Sequence, residues 1–132
     1  MTPPHILVVD DDFLVRKTVK LHLEKEGYRV SLASNGIEAV ACLERAAPNV
    51  LILDLFMPDM DGFEILRRLH HAARRARILV ISGGGSAAHC DYLSMASKLG
   101  ADSVLKKPFT APELAAAVEA LLPPPFLMPA MN

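Results

Sequence analysis

Three short apolar runs in this chain each end in charge. Residues 6–9 run into Asp10, Asp11 and Asp12, residues 50–53 into Asp54, and residues 104–105 into Lys106 and Lys107. Where such runs are parallel strands of one sheet, ligands bind outside their carboxyl ends, so these acids and a lysine describe a site. Crowded carboxylates repel one another unless a cation neutralises them. Oxygen ligands with no histidine or cysteine among them suit Mg²⁺ better than zinc or copper. The chemistry to expect is therefore that of a divalent metal and a phosphoryl group. Each charge taken singly has a simpler reading as a solvated turn or a helix cap, and Asp12 is well placed to cap the helix that Phe13 begins. A cap accounts for one aspartate and leaves its neighbours unexplained.

The elements that must position these residues alternate along the chain. The pattern predicts strands over 5–10, 28–33, 50–54, 77–82 and 101–106, and helices over 13–26, 35–46, 63–72, 89–99 and 111–122. Gly27 ends the first helix and Pro48 stops the second. In the first helix Leu14, Val15, Thr18, Leu21 and His22 lie near one face, and in the second Ile37, Val40, Ala41 and Leu43 do. The run 50–54 is the most uniformly apolar, as burial on both faces of a parallel sheet requires, and is expected at the centre. Five strand and helix pairs with short links imply an α/β protein, a three-layer α/β/α sandwich with right-handed helical crossovers.

Composition bounds the rest. A chain of 132 residues makes one domain, and its net charge of −1 lacks the basic excess of a nucleic-acid-binding surface. Cys42 and Cys90 match no metal spacing. Cys42 sits in a helical pattern where a buried thiol is the default, and no disulfide is expected, consistent with a reducing cytoplasm. No apolar stretch approaches the ~20 residues needed to span a bilayer. Domain organisation reads as a short N-terminal extension (1–4), one domain (5–122) and a proline-rich tail (123–132).

The segments Val8-Val9-Asp10-Asp11-Asp12, Asp54-Leu55-Phe56-Met57-Pro58-Asp59-Met60-Asp61-Gly62, Ser82-Gly83 and Lys107-Pro108-Phe109 closely resemble the receiver domain of two-component response regulators. Order, spacing and strand placement match over residues 5–122. The resemblance implies the flavodoxin-like strand order 2-1-3-4-5. It implies Asp54 as phosphoacceptor, a carboxylate nucleophile that takes a phosphoryl group from a histidine kinase or a histidine phosphotransfer protein and holds it as an acyl phosphate. Asp10 and Asp11, with Asp54 and the backbone carbonyl of Phe56, would bind Mg²⁺, Asp11 being the better candidate for direct coordination. Lys107 would pair with the phosphoryl oxygens, aimed by a cis bond before Pro108. Ser82, followed by Gly83, would donate a hydrogen bond to the phosphoryl group. Alternation along the strand lets only one of Lys106 and Lys107 face the site easily.

Departures from the family pattern bear on the output. Val104 stands where many receivers carry an aromatic ring that turns inward on activation, so coupling must run through the loop after Ser82, with its Gly83-Gly84-Gly85, or be weaker. A chain ending soon after the fifth helix resembles stand-alone receivers, which act through contact with another protein. The expected surface is that of the fourth helix, fifth strand and fifth helix, with Tyr92, Leu93, Met95, Ala96 and Val104 exposed, in a monomer or weak dimer. The pair His70-His71 with Arg74, Arg75 and Arg77 reads as cations favoured at a helix C-terminus.

Two rivals remain. Haloacid-dehalogenase-type phosphatases share the order Asp10-x-Asp12, Ser82 and Lys107, with Asp10 as nucleophile, but that reading leaves the Asp54 loop unused. A phosphate-independent adaptor would keep the fold and drop the chemistry.

Overall fold

A computed structural model describes residues 2–54, 64, 67, 68, 76–83, 94, 97, 98 and 100–123. Five strands, β1 (His5–Val9), β2 (Arg29–Ala33), β3 (Val50–Asp54), β4 (Arg77–Ser82) and β5 (Ser103–Lys106), form one parallel sheet of order β2-β1-β3-β4-β5. The order is the 2-1-3-4-5 expected, and β3 occupies its centre, buried along its whole length. Parallel neighbours need crossovers, and three helices stand out among the described residues: α1 (Phe13–Lys25), α2 (Gly36–Arg45) and α3 (Ala111–Leu121). Glu64, Arg67, Arg68, Ser94, Ser97 and Lys98 are also helical.

Alternation along the strands sorts the core into two layers. Leu7, Val9, Leu51, Leu53 and Val80 pack with Ala39 and Cys42 of α2 on one face. Ile6, Val8, Val50, Ile52, Leu79 and Ile81 pack with Val19 and Leu23 of α1 and Leu114 and Val118 of α3 on the other. Each large side chain taken fully out of water there contributes about 1.5–3 kcal/mol. Edge strands are less covered, as β2 and β5 show by mixing exposed and half-buried positions.

Local chemistry sets the helix ends. Asp12 caps α1, its Oδ1 accepting from the N–H groups of Leu14 (2.9 Å) and Val15 (3.3 Å). Asn35 caps α2 through the Glu38 N–H (2.8 Å), and Thr110 and Glu113 form a reciprocal capping box on α3. Gly27 follows α1 with φ +96°, a left-handed conformation that favours glycine.

The buried stripes of α1 and α2 differ from the expected ones. On α1 the sheet-facing residues are Val19 and Leu23 with Val15 beside them, while Leu14 and Leu21 are 69% and 52% exposed. On α2 they are Ala39 and Cys42, and Ile37 is 68% exposed. The α1 stripe is spaced i, i+4, i+8 and the α2 pair i, i+3, both helical spacings, but both helices are apolar on more than one side, so periodicity left their rotation open.

Candidate functional site

The site lies at the carboxyl edge of the sheet. Register pairs Val9 with Leu53, so Asp10 and Asp54, the next residue of each chain segment, come level. Asp10 and Asp54 share strand parity with Val8 and Ile52, whose side chains face α1 and α3, and Lys107 shares it with Leu105 of the same layer. Lys106 has the opposite parity and is exposed.

Carboxylate oxygens of Asp10, Asp11 and Asp54 lie within 4.8 Å of one another. Asp10 is fully buried, Asp54 is 6% exposed and Asp11 is exposed, so the cluster opens to solvent on one side. Lys107 Nζ stands 3.0 Å from Asp10 Oδ2 and 3.8 Å from Asp54 Oδ2, bridging the two buried acids. A buried carboxylate needs such partners. Asp10 has them on both oxygens, since its Oδ1 accepts the Asp12 N–H at 2.9 Å.

The hydroxyl and glycine predicted for the site sit on the same edge. Ser82 is buried at the end of β4, and its Oγ donates to the Gly83 carbonyl at 3.3 Å. The Lys107 N–H donates to the Ser82 carbonyl at 2.8 Å, tying the two segments together. A Cβ on Gly83 would lie 3.4 Å from Lys107 Cδ, so glycine leaves the lysine stem its room. The Lys107–Pro108 peptide bond is cis. Val104 is 37% exposed on β5. Phe56, Tyr92, Leu93, Met95 and Ala96, together with Cys90, Gly84, Gly85, His70, His71 and the tail from 124 onward, lie outside the described residues.

Sequence reading missed Arg16. Its Nη1 donates to the Asp10 backbone carbonyl at 2.7 Å, and its guanidinium lies 5.7 Å from the centroid of the Phe13 ring. The signal was there: a cation near a helix N-terminus opposes the macrodipole and calls for another reason.

The carboxylate set fits Mg²⁺, because it offers three hard oxygen donors close together, one of them open to solvent. An open groove lined by Leu14, Val15, Thr18, Gly83, Lys107 and Phe109 runs beside it.

Comparison with known proteins agrees with this geometry. The family model "Response regulator receiver domain" matches residues 6–119. Response regulator MprA of Mycobacterium leprae (strain TN) is 39% identical over 117 residues, which cover 89% of this chain and 50% of that protein. The chain thus spans about half the length of the curated relatives it matches. Among solved structures, chemotaxis protein CheY4 of Vibrio cholerae superposes with a TM-score of 0.82 at 29% identity, covering 92% of this chain and 100% of the other. A receiver domain protein from Methanospirillum hungatei JF-1 gives 0.81 at 30% identity, covering 91% and 94%. With strand order, acidic cluster and sequence all in agreement, the chain belongs to the response regulator receiver domains, the phosphoacceptor modules of two-component signalling.

Proposed function

We propose that Asp54 is the residue that accepts the phosphoryl group, from the phosphohistidine of a sensor kinase or a histidine phosphotransfer protein. An Asp54 carboxylate oxygen forms the new bond to phosphorus as the bond from phosphorus to the imidazole nitrogen breaks, leaving an acyl phosphate and a free histidine. The observation that carries this reading is the convergence of the Asp10, Asp11 and Asp54 carboxylates within 4.8 Å, with Lys107 Nζ between two of them.

Asp10, Asp11 and Asp54, with the Phe56 carbonyl, would hold Mg²⁺. Bound there, the ion would neutralise oxygens that otherwise repel the nucleophile. Lys107 is placed to pair with phosphoryl oxygens, and Ser82 with Gly83 forms the neighbouring edge where a hydroxyl donor is needed. Asp10 is fully buried with both oxygens engaged, by the Asp12 N–H and by Lys107, which suits a carboxylate that holds the site together. The exposed Phe13 and Leu14 beside the groove support kinase docking at the start of α1. The output is a phosphorylation-dependent contact with another protein, with Val104 and the helix before β5 as its surface.

The test is intact mass after incubation with Mg²⁺ and acetyl phosphate. A phosphoryl adduct lost in Asp54→Asn and only weakened in Asp10→Asn is the expected result. Consumption of the donor without an adduct, abolished by Asp10→Asn, would overturn it in favour of hydrolysis at Asp10. With a kinase known to phosphorylate other receivers as a second donor, no adduct from either would favour the adaptor.

A further inference from the structure

The turn from β1 to α1 is held at points on either side of Asp11. The peptide plane before Asp11 carries the Asp10 carbonyl, which accepts from Arg16 Nη1 at 2.7 Å. The plane after it carries the Asp12 N–H, which donates to Asp10 Oδ1 at 2.9 Å. Two fixed planes fix the backbone dihedrals of the residue between them, and these set the direction of its Cα–Cβ bond. Asp11 is exposed, and its carboxylate nevertheless reaches within 4.8 Å of the buried Asp10 and Asp54 oxygens.

We propose that Arg16 is a positioning residue of the acidic site, which aims the Asp11 carboxylate at the bound cation by holding the Asp10 carbonyl. The inference rests on the cation-binding reading given above. Arg16 is itself braced, with its guanidinium against the Phe13 ring.

The sign of the effect separates positioning from charge. Removing a cation near three carboxylates should by Coulomb attraction alone strengthen Mg²⁺ binding. If Arg16 aims Asp11, its removal weakens binding instead, by about tenfold, the lower end of what loss of a partner behind a metal ligand costs. The experiment is a calorimetric Mg²⁺ titration of the wild-type chain, Arg16→Met and Arg16→Lys, with the folded fraction checked by circular dichroism. Weaker binding in Arg16→Met, largely rescued in Arg16→Lys, is expected. Equal or tighter binding in a folded Arg16→Met overturns the inference and leaves the site reading intact. If the wild-type chain itself binds no Mg²⁺, both readings fall. Should Arg16→Met not fold, Arg16→Gln takes its place, with the same outcomes deciding.

Discussion

Lys107 holds together two buried carboxylates that would otherwise face each other, so replacing it by methionine should harm the cation-free protein and help it bind cation. At an effective dielectric of about 20, the Coulomb attraction of a unit pair is about 5 kcal/mol at the 3.0 Å separating Lys107 from Asp10 and about 4 kcal/mol at the 3.8 Å to Asp54. Much of this is offset by desolvation of the ammonium. The lysine side chain keeps 23% of its exposure, so the net loss falls below the ~3–5 kcal/mol typical of breaking a buried pair, at about 2 kcal/mol. In a domain of this size that lowers the thermal midpoint by about 8 °C. The ammonium also competes with a divalent ion for the same oxygens, so Lys107→Met should bind Mg²⁺ severalfold more tightly. At saturating Mg²⁺ both chains gain, and the gap narrows only by RT times the logarithm of the affinity ratio, about 1 kcal/mol for a fivefold ratio. Urea or thermal unfolding followed by circular dichroism, first with chelator and then across a Mg²⁺ titration, measures both effects. A variant as stable as wild type in chelator, or one that binds Mg²⁺ more weakly, would refute this account of the lysine.

Further outcomes follow from the caps and from His5. Thr110→Ala removes the acceptor for the Glu113 N–H (3.2 Å) and should cost about 1 kcal/mol in urea unfolding; an unchanged midpoint would mean that the capping box is replaced by water at no loss. Burial, and then the Arg29 guanidinium, holds His5 below the usual histidine range, and its Nε2 lies 2.7 Å from Ser31 Oγ. The unfolded chain therefore takes up this proton more readily than the folded one, so stability is lost as pH falls from about 6.5 towards the lower folded value. His5→Leu should flatten the fall in urea midpoint between about pH 7 and pH 5, and an unaltered slope would assign that fall to the carboxylates instead.

Much of this protein is legible from sequence because its signals are local. A run such as Val50–Asp54, apolar throughout, has to be buried on both faces, and its terminal aspartate then has to stand at the sheet's carboxyl edge. Asp12 announces its capping role by standing one residue before α1, and Gly27 its place after the helix by the left-handed conformation only a glycine adopts at low cost. Packing decided what these signals left open. Leu14 and Ile37 are as apolar as the residues that are buried, and only the fit of α1 and α2 against the sheet turned Val19, Leu23, Ala39 and Cys42 inward. The partner of Lys107 is Asp10, 97 positions away, and no local pattern encodes a contact that exists because β1 and β5 belong to one sheet. The hold of Arg16 on the Asp10 carbonyl spans only six residues, yet it too depended on the turn of the helix, because a backbone acceptor has the same identity at every position and leaves no mark in the sequence.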